Sequence, residues 1–170
     1  MSLYFEWRKS CGCRVPCNCD TSPKSKEPRY YFSQTKQTIE IPADASVEVL
    51  KLDVVIKLPL EKVKLDSVIS TVVKTGEASE YSFHTEFSLW RNDTLITTEN
   101  YAAIKQLGQD TEIKTLMNTV YLSWTDFILT PGSYTYKVKA RRIETSETNI
   151  MEISANDRAL NAIVFHAGSA

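Results

Sequence analysis

Apolar and polar residues alternate one by one along most of this chain. In 81–90, YSFHTEFSLW, Tyr81, Phe83, Phe87 and Leu89 fall on one side and Ser82, His84 and Glu86 on the other; in 133–143, Tyr134, Tyr136 and Val138 oppose Thr135, Lys137 and Lys139. A period of two sends successive side chains to opposite faces of a strand, so each segment reads as a strand with one dry and one wet face, the signature of an antiparallel sheet. The same reading predicts strands at 30–41, 46–58, 63–73, 94–98, 118–128, 149–155 and 159–167, with turns at Thr75-Gly76, Asn92-Asp93, Pro131-Gly132 and Asn156-Asp157. Only 101–116 competes as helix, through Ile104, Leu107, Ile113 and Leu116, and Gly108 interrupts it. It is expected to be a crossover loop with about one helical turn.

Nine strands at near-regular spacing predict an all-β chain: a single antiparallel β-sandwich, jelly-roll-like, over residues 30–170, preceded by an extended N-terminal connector arm at 1–29. The arm has three parts. SLYFEWR (2–8) puts Leu3, Phe5 and Trp7 on one side and Tyr4, Glu6 and Arg8 on the other, the pattern of a half-buried strand. CGCRVPCNC (11–19) follows, then TSPKSKEP (21–28), a linker of Ser, Lys and Pro.

Composition narrows the function. Lys and Arg number 20 against 21 Asp and Glu, so there is no basic footprint for nucleic acid. The start MSLYFEWRKS is too short an apolar run, broken by Glu6 and Arg8, for a cleaved signal peptide, and no stretch reaches the ~20 apolar residues of a spanning helix. Nucleic acid and membrane are therefore not expected as partners.

Catalytic chemistry finds little support. There are two histidines, His84 and His166, five glycines, and no GxSxG, HExxH or phosphate-cradling loop. His84 beside Glu86 is the one candidate general-base pair, and a solvated strand histidine is the plainer reading. The carboxylates Asp53, Glu61, Asp66, Asp93 and Asp126 are dispersed and lack calcium-loop spacing. The expectation is a non-enzyme without a cofactor or resident metal. Asn92-Asp93-Thr94 matches a glycosylation sequon and reads as a plain turn. Trp90, Trp124, Tyr121 and Phe127 are read as lying opposite their better-packed neighbours, a candidate sugar platform or, by preference, an oligomer interface.

All four cysteines, Cys11, Cys13, Cys17 and Cys19, lie within nine residues of the arm. Zinc binding is one reading, although C-x-C fits a zinc knuckle less well than C-x2-C. Disulfides local to the arm are a second, and would constrain only a short loop. Disulfides between chains are a third and account best for the placement, because thiols outside the folded body can meet those of a neighbour. The alternating strand beyond them would then pair with an exposed edge of another subunit, with Leu3, Phe5 and Trp7 as docking side chains.

The cysteine-bearing arm ahead of a jelly-roll-like body resembles the self-assembling subunits of endospore appendages in spore-forming Bacillota. The stretches VKLDSVIS, FSLWRND, PGSYTYKVKA and NDRALNAIVF are also similar to a family of clostridial and bacillar proteins with comparable starts, and more distantly to C1q and tumour-necrosis-factor-like jelly rolls. The resemblance implies a structural subunit forming a filament or appendage on the spore or cell surface, made without a cleaved signal peptide. Its partners would be copies of itself, as a homopolymer, together with a surface anchor protein. In that family arm cysteines pair with cysteines of a neighbour's body. Here the body has none, which implies arm-to-arm pairing. The alternative is an oligomeric jelly-roll module that binds a carbohydrate or a receptor.

Overall fold

The computed structural model describes residues 27–77, 80–106, 113–143 and 147–166. Among them are nine strands: β1 (Arg29–Thr35), β2 (Ile39–Glu40), β3 (Val47–Ile56), β4 (Glu61–Thr75), β5 (Glu80–Arg91), β6 (Thr94–Gln106), β7 (Thr115–Ile128), β8 (Gly132–Arg142) and β9 (Ile150–Phe165). One sheet has the order β1-β9-β4-β7, with β2 also on β9; the other has the order β3-β8-β5-β6. Every pairing is antiparallel.

The topology follows from one long hairpin. Its tip is the Asn92-Asp93 turn, and its two arms pair successively as β5 with β6, β4 with β7, β3 with β8, and β1 and β2 with β9. Rolled up, the ribbon brings β4 against β9 and β5 against β8, which joins the pairs into two facing sheets. That is a jelly roll. Asn92 supports the tip with a left-handed φ of 52° and a side-chain oxygen that accepts the Thr135 N–H at 3.0 Å. The sequon is thus a structured turn.

Inward positions meet between the sheets. Phe83, Phe87, Leu89, Tyr136 and Val138 on one side face Val63, Leu65, Ile69, Leu122, Leu160 and Val164 on the other, all nearly water-free. The alternation read in 81–90 and 133–143 is the alternation observed.

Three expectations are corrected. Residues 101–106 are not a crossover loop. They complete β6, paired with β5 from Thr85↔Tyr101 to Glu80↔Gln106, because Tyr101 and Ala103 turn inward while Ala102 and Ile104 turn outward. Tyr101 packs edge-on against Phe83, with ring centres 4.9 Å apart. Residues 107–112 lie outside the described residues. Asn156-Asp157 is not a turn: β9 runs through it, and the irregularity is absorbed as a register shift against Ile69–Thr71 of β4. Conversely, 30–41 is two strands, because the chain leaves β9 at Lys36 and rejoins it at Ile39, turning through the Gln37 N–H bond to Thr35 Oγ1.

Candidate functional site

The two sheets have four edges: β1 with β2, and β7, in one, and β3 and β6 in the other. An edge exposes unpaired N–H and C=O groups, and proteins usually guard it with charge, bulges or brevity. Three of these edges are guarded. β1 is seven residues long, β3 carries a register shift at Glu48/Leu50 with Glu48, Lys51 and Asp53 pointing outward, and β6 lies opposite a shift at Leu89/Trp90 and carries Glu99 and Lys105.

The β7 edge is different. Its 14 residues, TLMNTVYLSWTDFI, run beside β4 without a register shift and contain neither Gly nor Pro. Their single charge, Asp126, points inward, where both carboxylate oxygens accept from Arg91 Nη1 at 2.9 Å and one accepts from the Tyr136 hydroxyl at 2.8 Å. Burial, reinforced by that hydrogen bond, pushes the Tyr136 hydroxyl far above the usual phenol range. With Asp126 consumed inside, the outward row Met117, Thr119, Tyr121, Ser123, Thr125, Phe127 is uncharged, and Met117 is 76% exposed. Lys62 of β4 lies over the Phe127 ring at 5.4 Å.

Of the four aromatics singled out in sequence, Tyr121 and Phe127 stand on this outward row. Trp124 does not. It shares the inward side with Leu122 and Ile128, and is part-exposed because no further strand covers the rim beyond β7. Trp90 lies on the outer face of the other sheet, under Lys139 Nζ at 4.6 Å and bonded through Nε1 to Ser88 Oγ at 2.8 Å. The structure therefore does not gather the four into one platform. The arm positions Leu3, Phe5, Trp7, Cys11, Cys13, Cys17 and Cys19 lie outside the described residues.

The histidine-carboxylate pair does not form either. His84 Nε2 faces Asn100 Oδ1 at 3.0 Å, and Glu86 binds Arg141 Nε at 2.9 Å. His166 instead meets a carboxylate distant in sequence: its Nδ1 lies 2.7 Å from Oε1 of Glu61, which is fully buried. The other Glu61 oxygen accepts from Arg29 Nη2 and from the Lys57 N–H at 3.0 Å. This cluster ties the first residue of β1 to the start of β4 and the end of β9. A second interior cation, Arg158, donates from Nε to the Val49 carbonyl at 2.9 Å and from Nη1 to that of Ala155, and burial lowers its pKa. Among the described residues no three His, Cys, Asp or Glu side chains are grouped to hold a metal.

Both clusters left a trace in the sequence. Glu61 falls in step with Val63 and Leu65, and Asp126 with Leu122 and Ile128, so each carboxylate occupies a position whose alternation points inward. A buried carboxylate needs a cation or hydrogen-bond donors. Alternation does not say which residues supply them.

No protein-family model matches the sequence, and no curated protein matches it. In three dimensions the chain is similar to dimeric latent PorU from Porphyromonas gingivalis, with 11% identity and a TM-score of 0.41 over 80% of this chain and 12% of that one. It is also similar to the infectious bursal disease virus Gx strain structure (15%, 0.38, over 84% and 33%) and the VP2 subviral particle of that virus (16%, 0.37, over 84% and 34%). The chain thus spans about an eighth of the first protein and a third of the viral chains. The strand order of this chain, rather than these likenesses, defines its fold.

Proposed function

We propose that this chain is a structural subunit that assembles with copies of itself into a filament or appendage on the spore or cell surface. The observation that carries the reading is the β7 edge: fourteen residues, unbroken, without an outward charge. A long uncharged edge is a pairing site. The alternating segment 2–8 of a neighbouring copy supplies a strand of suitable length, and residues 9–28 allow a reach of up to roughly 65 Å at ~3.3 Å per residue. Main-chain hydrogen bonds would provide affinity, with Leu3, Phe5 and Trp7 as the docking side chains. Cys11, Cys13, Cys17 and Cys19 would then make the contact permanent, each pair of thiols giving up two protons and two electrons to an external oxidant such as dioxygen.

Electrophoresis of the oxidised protein without reductant should give a ladder that collapses on adding a thiol. Deleting residues 1–20 should leave a folded monomer or small ring by sedimentation velocity. Normal polymerisation of the deletion variant would overturn the proposal. Stoichiometric zinc, with all four thiols protected from alkylation until chelation, would favour metal-linked assembly instead.

A further inference from the structure

On the outer face of the β1-β9-β4-β7 sheet, consecutive rows read across the strands as Tyr30, Ile163, Lys64; then Phe32, Asn161, Asp66, Ser123; then Gln34, Ala159, Val68, Tyr121. Tyr30 and Phe32 are 72% and 71% exposed, and they stand above the shorter side chains of β9. The result is a trench with its floor on β9, an aromatic wall on β1 and a polar wall on β4. Two depressions lie end to end along it. One, of about 400 Å³, is bordered by Tyr30, Phe32, Asp66, Asn161 and Ile163; the other, of about 460 Å³, by Gln34, Lys36, Val68, Ser70, Asp157 and Ala159. From Ile163 to Asp157 the floor is roughly 20 Å long, at ~3.3 Å per residue, and the walls are two strand spacings, roughly 10 Å, apart.

We infer that this trench binds a linear, neutral polysaccharide chain. Three features select that ligand. From Ile163 to Arg158 the floor strand is already paired on both sides, so along this stretch it has no free backbone groups with which to add a peptide strand, and recognition falls to side chains. The exposed charges along the trench cancel, with Lys36 and Lys64 against Asp66 and Asp157, while Arg158 is buried and turned onto the Val49 and Ala155 carbonyls; Asp66 is held by Ser123 Oγ at 2.7 Å and Lys64 Nζ at 3.2 Å. A charged polymer gains nothing from such a strip. Finally, the aromatic wall offers flat apolar faces to the C–H side of a sugar ring, and the exposed amides of Gln34 and Asn161 offer both donors and acceptors to its hydroxyls. A second copy of the sheet laid on this face would instead bury Lys64, Asp66 and Asn161 at the centre of the contact, at a desolvation cost.

The test is fluorescence anisotropy of fluorescein-labelled hydroxyethyl cellulose, dextran, galactomannan and arabinoxylan, titrated with the full chain under reducing conditions. Alginate and a synthetic peptide of residues 1–10 serve as the charged and peptide probes. At least one neutral polymer should bind. Phe32→Ala should weaken it about tenfold and Asn161→Ala about fivefold, consistent with stacking and hydrogen-bond energies near 1 kcal/mol. Ile104→Ser, on the outer face of the other sheet, should leave it unchanged. Binding to none of the four neutral polymers, binding insensitive to both trench substitutions, or trench-dependent binding of only alginate or the peptide would each overturn the inference.

Discussion

Glu61 Oε1 and His166 Nδ1 lie 2.7 Å apart although 105 residues separate them in the chain, and the carboxylate between His166 and Arg29 has no exposure to water. This contact closes the end of the sandwich at which β1 begins and β9 ends. A buried charge that loses its partner is costly, whereas removal of both partners is much less so.

Glu61→Gln is therefore expected to destabilise the fold by about 3 kcal/mol, the lower end of the range for a broken buried pair because Arg29 keeps some contact with water. Adding Arg29→Met should recover part of that loss, so the two effects will not be additive. Urea midpoints of the two single variants and the double variant measure the coupling.

Tyr136 gives the fold an alkaline limit. Its hydroxyl is buried and donates to Asp126, and both effects raise its pKa above the ordinary value of 10.0. In the unfolded chain it loses its proton near pH 10, while in the folded chain it keeps it. The folded state therefore binds more protons above that pH. Its contribution is fully present below about pH 10 and declines as pH rises further. Urea midpoints from pH 8 to 11 should fall at the alkaline end, and Tyr136→Phe should flatten the fall.

Tyr121→Lys places a charge at the middle of the outward β7 row, where the native side chain touches little. Stability should change by less than about 0.5 kcal/mol. Assembly should be lost, as seen by sedimentation velocity, because an inserted lysine is the usual guard against edge pairing. Intact assembly in this variant would assign the docking edge elsewhere.

Asn92 holds the hairpin tip in a left-handed conformation and bonds to Thr135. Asn92→Ala should cost about 1–2 kcal/mol, since it loses the bond and strains the backbone, while Asn92→Gly should cost less because glycine adopts the same φ freely. Thermal unfolding of the pair separates the two contributions.

Much of the body was legible residue by residue. Wherever both faces of a strand had contrasting environments, as in Tyr81–Leu89 and Tyr134–Val138, alternation located the strand and its dry face. It misled where that contrast fails. β9 runs through Asn156-Asp157, polar residues that resemble a turn but lie opposite the gap between β1 and β2. The second half of β6 hides behind Ala102, Ala103 and an outward Ile104, which blur the period of two.

The sequence by itself determined the class of structure, an antiparallel sandwich, and the inward side of most strands. Those properties are set by neighbours one and two residues away, through the pleat and the removal of apolar side chains from water. Only the tertiary structure decided which strands become edges, which cation meets Glu61 or Asp126, and that Tyr30 and Phe32 stand over a trench floored by Asn161. Those relationships depend on how the ribbon rolls, which brings together Tyr30, Lys64 and Ile163 in ways that no local period encodes.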